Sequence, residues 1–307
     1  MKIRVIINPA AGQDEPVLAV LNRCFAPHDV SWVITSPERD ADTLAAEAAR
    51  EGVEVVVAYG GDGTISSAAN GLVGTQTPLA ILPGGTCNVI AQELGIPSDL
   101  AEAAALACAG PEAASSIDTM RLGGCHKLIR IGVGVDARVI QHSTRERKDN
   151  LGMLAYVFSA VEQLHAAEPA SYTVELDGQT FVTDALACVV ANIGRVGRGG
   201  LSLPGQPSAV DGELDVVILR STNFPLIRAF YAGMFGATAP LDFAAENDAP
   251  VVHCRGQRVR VHVDPEQPVQ ADGELIGKTP IDVEIAPASL RVILPAELEQ
   301  QDATATD

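Results

Sequence analysis

At 307 residues the chain is long enough for two domains and a sizeable core, with 47% hydrophobic residues and only 4% aromatic ones. Its formal charge of −18 argues against recognition of a nucleic-acid backbone, which needs a basic face to release counterions. No run reaches the roughly 18 consecutive apolar residues of a membrane span, Met1-Lys2-Ile3-Arg4 leads straight into a strand, and six cysteines without a Cys-x-x-Cys pair form neither a zinc nor a disulfide pattern. A cytoplasmic protein with reduced, buried thiols is expected.

In chain order, a strand at 3–7 runs into Asn8-Pro9-Ala10-Ala11-Gly12, and a second strand at 30–35 ends on Thr35. A helix at 41–50 follows. The third strand, 53–59, gives way to Gly60-Gly61-Asp62-Gly63-Thr64 and a helix at 65–71. The fourth, 78–82, leads into Leu82-Pro83-Gly84-Gly85-Thr86-Cys87-Asn88 and a helix from Val89 to Leu94, closed by Gly95 and Pro97. This βα alternation predicts an open, mostly parallel sheet.

Two glycine loops that open helices, plus the Asn8 to Gly12 turn, would share the carboxyl edge of such a sheet, where open α/β folds bind ligands. Glycines let the backbone approach a polyphosphate, and a helix N-terminus favours anions. Asp62 would repel a phosphate there unless a divalent cation lay between them, so it is a candidate metal ligand. Each loop taken alone also reads as a plain strand-to-helix turn.

After Ala109-Gly110-Pro111 the character changes. Short strands are expected at 116–122, 127–133, 172–176, 185–191, 214–219, 258–263, 281–285 and 290–294, with Asp-Gly, Gly-Gly and Pro turns between them. A largely antiparallel β-sandwich is predicted, with domains at 1–118 and 119–296 and a polar tail, 297–307, that reads as disordered. One helix interrupts this half: Leu151, Leu154, Phe158, Val161 and Leu164 share a face. It follows a basic stretch, Arg145, Arg147 and Lys148, and the pair reads either as sheet packing and a solvated loop or as a lipid-facing surface.

The ordered set Asn-Pro-x-x-Gly, Gly-Gly-Asp-Gly-Thr, Pro-x-Gly-Thr-x-Asn, Ile117-Asp118-Thr119, Gly132-Val133-Gly134-Val135-Asp136-Ala137 and Asp272-Gly273-Glu274 resembles the diacylglycerol kinase catalytic superfamily. It is most similar to the soluble bacterial lipid kinases, and the likeness runs from about residue 2 to 294. The resemblance implies ATP and Mg²⁺ as cofactors, a lipid alcohol such as diacylglycerol as substrate, and transient peripheral contact with a membrane surface. A homodimer is compatible with it.

The resemblance also assigns residues. Asn8, Pro9, Gly12, Thr35, Gly60, Gly61, Asp62, Gly63, Thr64, Gly85, Thr86 and Asn88 would cradle the nucleotide, with Glu274 reaching nucleotide or metal. Asp272 would be the general base, and Asp118 a third acid linked to the metal through water. Asp211, with the carbonyls of Ser208 and Glu213, would hold a structural divalent ion. Read without the resemblance, Asp272-Gly273 is a hairpin turn, Asp118 a strand-end cap, Thr35 a turn hydroxyl and Asp211-Gly212 another turn. The chain departs from the family where Asp-Phe-Ala-Arg commonly follows the Gly-Thr-x-Asn loop, having Val89-Ile90-Ala91-Gln92, which removes one acid and puts diacylglycerol specificity in question.

No Walker A loop, no Gly-x-Gly-x-x-Gly after the first strand, no His-Glu-x-x-His and no Gly-x-Ser-x-Gly elbow occur. Two rivals stay open: an NAD kinase, which shares the Gly-Gly-Asp-Gly-Thr loop, and a non-catalytic lipid-binding protein that retains the fold.

Overall fold

The computed structural model describes residues 1–11, 17–86, 88–135, 137, 168–193, 195–196, 201–202, 207–220 and 251–295. Gly12, Cys87, Asp136, the basic stretch, the helix expected at 151–164 and the tail from 297 lie outside the described residues. The first half of the chain holds β1 (Lys2–Ile7), α1 (Val17–Phe25), β2 (Asp29–Ile34), α2 (Ala41–Arg50), β3 (Val55–Gly60), α3 (Asp62–Leu72), β4 (Leu79–Pro83), α4 (Val89–Glu93), α5 (Leu100–Ala107) and β5 (Ala114–Leu122). Then come β6 (Cys125–Lys127), β7 (Arg130–Gly134), β8 (Ala170–Leu176), β9 (Gln179–Ala185), β10 (Ala187–Ala191), β11 (Arg195–Val196), β12 (Leu201–Ser202) and β13 (Leu214–Leu219). The last are β14 (Val251–Gly256), β15 (Arg258–Asp264), β16 (Pro268–Ala271), β17 (Glu274–Lys278) and β18 (Ile281–Ile293).

The chain divides into two compact units, Met1–Thr119 joined by the residues from Pro287 onward, and Met120–Ala286. In the first, β2, β1, β3 and β4 lie side by side in that order, all parallel. β3 reads Val-Val-Val-Ala-Tyr-Gly and is buried at every residue, as a strand covered on both faces must be. α2 begins where Asp40 accepts the Thr43 N–H at 2.9 Å, a side-chain cap that satisfies one otherwise unpaired helix amide. Its buried stripe Ala41, Leu44, Ala45 and Ala48 follows helical spacing. Leu44 is wholly buried, and truncating it to Ala would cost about 2–5 kcal/mol.

The second unit is antiparallel. β14-β13-β10-β7-β16-β17 form one sheet, while β15 pairs on one side with β18 and on the other with β8, which pairs with β9. β15 reads Arg-Val-Arg-Val-His-Val-Asp with every valine buried and every polar residue exposed. Tyr172, Val174, Val259, Val261 and Val283 meet Ile131, Val133, Cys188, Val190, Val216 and Ile218 in one core, so the unit is a β-sandwich.

The strands expected at 281–285 and 290–294 are one strand, β18. Pro287 and Ala288 read as a break, yet Ala288 takes φ +47° and donates its N–H to Asp118 Oδ1 at 2.7 Å, so the chain bends with that amide satisfied. The second domain is expected to reach 296; by packing, the described stretch from Pro287 groups with the first unit. The physical ties are short: Ser289 O accepts from Gly74 N–H at 2.8 Å, Arg291 donates to the carbonyls of Gln76 and Pro111 at 2.9 Å each, and Val292 pairs with Leu79 of β4. β9, β11, β12, β14, β16 and β17 are not among the expected strands. α3 starts at Asp62, three residues before the predicted helix.

Candidate functional site

Asn8, Thr35, Gly61 and Gly84 each follow directly the last residue of one of four neighbouring parallel strands, so all four stand at one edge of the first unit's sheet. Backbone bonds lock these strand ends. Asn8 N–H donates to Tyr59 O at 3.0 Å, Thr35 N–H to Ile7 O at 2.9 Å and Gly84 N–H to Gly60 O at 2.8 Å. Asn8 Nδ2 donates to Thr64 Oγ1 at 2.8 Å, while its Oδ1 accepts from Ala10 N–H at 2.9 Å and shapes the turn around the exposed Pro9.

The two glycine loops touch. A Cβ added to Gly85 would lie 2.6 Å from Gly61 Cα and 3.0 Å from Asn88 Oδ1, so only glycine fits at that contact. Asn88 adopts φ +49°, which Asn tolerates better than most residues. Its amide closes the second loop on itself: Oδ1 accepts from Gly85 N–H and Nδ2 donates to Gly85 O, each at 2.8 Å. Asp62 stands in the first turn of α3, where the helix dipole favours a carboxylate, and its Oδ1 accepts the Ile90 N–H of α4 at 2.8 Å. Gly63 follows in that turn, and Thr86 is exposed.

One half-buried carboxylate among neutral oxygens and backbone amides suits Mg²⁺, which keeps several waters and binds through one or two carboxylates plus substrate phosphates. The residues of this edge therefore fit a magnesium nucleotide, with Asp62 as the candidate anionic ligand.

Asp118 lies within β5, 3% exposed, with its carboxylate on Ala288 N–H. That bond holds the bend in β18. Beside it, the hydroxyls of Thr119 and Ser289 are 2.8 Å apart.

In the second unit, Asp272 and Gly273 both have positive φ, +48° and +86°, and connect β16 to β17 as a two-residue hairpin turn. The Asp272 side chain does more than turn the chain. It is 7% exposed, and accepts from Leu128 N–H at 2.9 Å on one oxygen and from Ile129 and Arg130 N–H at 2.9 and 3.2 Å on the other. Its own N–H donates to Arg130 O at 3.0 Å. Asn192, fully buried, supports the same segment by donating to Leu128 O at 2.9 Å. Gln270 Oε1 accepts from Gly273 N–H at 2.9 Å. Glu274 is exposed at the start of β17, followed by Leu275 and Ile276, 45% and 40% exposed.

The segment Ser208 to Glu213 precedes β13. Asp211 Oδ1 accepts from Glu213 N–H at 3.0 Å, and Oδ2 pairs with Arg255 Nη2. Arg255 Nη1 also meets Glu213 Oε2 at 3.0 Å, and its Nε lies 3.6 Å from Asp215 Oδ1. His253 Nε2 is 2.5 Å from that same Asp215 oxygen. Burial pushes the carboxyls of Asp211 and Asp215 above their ordinary range, although Arg255 opposes this at both. Both Asp211 oxygens are thus engaged, one by a cation, and the side chains do not fit a divalent ion as they stand.

Sequence reasoning missed Arg255, His253 and Asp215, and the Ile90 amide as the partner of Asp62. Arg255 comes from a strand forty residues downstream, and only the antiparallel register that sets it opposite Asp215 brings it there.

Residues 2–122 match the family described as the diacylglycerol kinase catalytic domain, and residues 130–294 match the YegS C-terminal NAD kinase beta sandwich-like domain. The chain is 30% identical to a diacylglycerol kinase of Bacillus subtilis, covering 98% of each chain. It is 29% identical to a diacylglycerol kinase of Mycobacterium tuberculosis, over 96% of this chain and 95% of that one. A crystal structure described as a diacylglycerol kinase from Bacillus anthracis superposes with a TM-score of 0.76 at 29% identity, covering 97% of this chain and 98% of that chain.

Proposed function

The chain belongs to the diacylglycerol kinase family and is a lipid kinase, and from that premise we propose that it transfers the γ-phosphate of ATP, with Mg²⁺, to the hydroxyl of diacylglycerol or a related amphiphilic alcohol. The observation that carries this reading is the contact of Gly61 with Gly85 beside Asp62, at the carboxyl edge of a parallel sheet. Backbone amides exposed by glycines donate to phosphate oxygens, and the N-terminus of α3 adds its dipole. When bound, Mg²⁺ would neutralise charge on the transferring group, with Asp62 as its protein ligand.

Asn8, Pro9, Gly60, Gly61, Gly63, Thr64, Gly85, Thr86 and Asn88 form the cradle, with Thr35 at the end of the neighbouring strand. Asn8 and Asn88 act chiefly by fixing loop shape, since each is bonded to its own or the adjacent loop. Asp272 takes the proton of the acceptor hydroxyl as its oxygen attacks the γ-phosphorus and ADP departs. The three amides that hold its carboxylate fix where the proton goes, a rigidity that positioned bases need. Glu274 stands next to it as a further polar group. Asp118 acts by positioning, through the bend it holds in β18.

The lipid side of the reaction draws on β17. Leu275 and Ile276 are adjacent, exposed and three and four residues from Asp272, and burying what each still exposes in an acyl layer would contribute about 1–3 kcal/mol in all. That magnitude supports peripheral, transient contact. Among the described residues no helix is long and apolar enough to cross a membrane.

The test is labelled-phosphate transfer from ATP in mixed micelles, with diacylglycerol, monoacylglycerol, a sphingoid base, phosphatidylglycerol and, without lipid, NAD as acceptors. Transfer to at least one lipid, abolished by excess chelator, is expected. Transfer to NAD with none to any lipid would sink the reading.

A further inference from the structure

We propose that the guanidinium of Arg255 is the resident cation of the turn before β13, so that this turn is held by an internal ion cluster and takes no divalent metal. The cluster is specific in its geometry. Asp215 on β13 and Arg255 on β14 are direct cross-strand partners, which fixes the arginine stem relative to the turn. From there the planar fork spreads over three acids: Nη2 on Asp211, Nη1 on Glu213 at 3.0 Å and Nε toward Asp215 at 3.6 Å.

A divalent ion bound to oxygens sits at 2.0–2.6 Å from each of them, in roughly the volume that the guanidinium nitrogens fill here. Two cations in that space would repel each other strongly at the low local dielectric of a partly buried pair. Asp211 cannot swing away to serve a metal without losing its other oxygen's bond to Glu213 N–H. Asp215 is wholly buried, with Oδ1 already shared between His253 and Arg255. Three carboxylates face one guanidinium and one imidazole, so the arginine is the cluster's fixed positive charge.

Removing that charge reverses the situation. Without Arg255, Asp211, Glu213 and Asp215 would crowd together with the His253 imidazole left beside Asp215, and oxygen donors in that state are what Mg²⁺ or Ca²⁺ recognises.

The experiment measures thermal melting of the nucleotide-free full chain in chelator, in millimolar Mg²⁺ and in millimolar Ca²⁺, for the parent protein, Asp211→Asn and Arg255→Gln. The parent and Asp211→Asn should respond alike to the two ions, so that any shift arises elsewhere in the molecule. Arg255→Gln should melt several degrees lower in chelator and regain part of the loss with Ca²⁺ or Mg²⁺. A parent protein stabilised by several degrees on adding either ion, with that gain abolished in Asp211→Asn, would overturn the proposal. So would an Arg255→Gln variant that melts like the parent. The parent and Asp211→Asn arms decide the question even if Arg255→Gln does not fold. None of these outcomes depends on lipid phosphorylation.

Discussion

Asp62 and Asp272 both directly precede a glycine, yet the two units of the molecule treat them differently. Asp62 is half-buried, at a helix N-terminus among glycine amides, with one oxygen on the Ile90 N–H of α4. Asp272 is buried and accepts three consecutive backbone N–H groups with both oxygens. The first environment is built by glycine backbone at a helix N-terminus. The second is built around the aspartate itself, so the carboxylate is part of the fold before it can be part of the chemistry. The same dipeptide thus stands at a helix N-terminus in one unit and is locked into a hairpin in the other, and substitution should expose the difference.

The largest effect is expected at Asp272→Asn. One oxygen can still accept from Ile129 and Arg130, but the new NH₂ group would face the Leu128 N–H, donor against donor. Leaving a buried amide unpaired costs about 1–3 kcal/mol, and loss of a positioned base costs about 10²-fold or more in turnover. Chemical denaturation and lipid phosphorylation measured together separate the two. A variant with parental turnover on a lipid acceptor would leave Asp272 with its structural duty alone.

Asp62→Asn retains an oxygen for Ile90 N–H, so its stability should stay near that of the parent. Its use of Mg·ATP should fall about 10- to 100-fold, since a ligand charge is lost while the fold is kept. Steady-state kinetics against Mg²⁺ at fixed ATP would show this, and near-normal magnesium dependence would remove Asp62 from the metal role. Gly85→Ala probes the backbone side of the same unit. Its Cβ would collide with Gly61 Cα, costing about 1–3 kcal/mol through displaced loops, with weaker nucleotide binding as the readout.

A smaller effect is expected from replacing Leu275 and Ile276 together by Ser. Sedimentation with phosphatidylcholine vesicles containing diacylglycerol should fall several-fold, while phosphorylation of a short-chain, monomeric diacylglycerol should hold steady. Equal losses on both substrates would mean that β17 acts through the Asp272 turn and not through lipid.

Asp282 gives the smallest effect and calibrates the other two aspartates. Bonds from Arg258, with further help from Arg260, hold its carboxyl at about 2, below the ordinary 3.8. A depressed folded value means the pairs support the fold fully above about 3.8 and lose that support as pH falls through about 2. Because these groups lie on an open sheet face, solvent screening keeps the contribution small. NMR titration of the side chain checks the value.

How much was legible follows from the range of the forces involved. The strand-to-helix loops at Asn8, Gly60 and Gly84 were readable because a βα unit writes its turn chemistry within a few residues of the strand end. α2 was readable from its apolar spacing, and its bounds matched residue for residue. The β16–β17 hairpin was visible only as an Asp-Gly turn, since each strand is short and the second is exposed throughout. β14 carries Arg255 and His253 among partly buried apolar residues, a pattern that does not announce a strand.

By itself, then, the sequence determined the family, the parallel order of turns in the first unit and the alternation that makes the second a sandwich, because periodicity and glycine chemistry are local. Only the tertiary structure decided what each acid pairs with. Asp118 meets Ala288 across 170 positions, Asp272 meets Leu128 across 144, and Asp211 meets Arg255 across 44. A carboxylate takes its role from the donors that reach it, and donors brought in by strand register and chain return leave no mark near the aspartate itself.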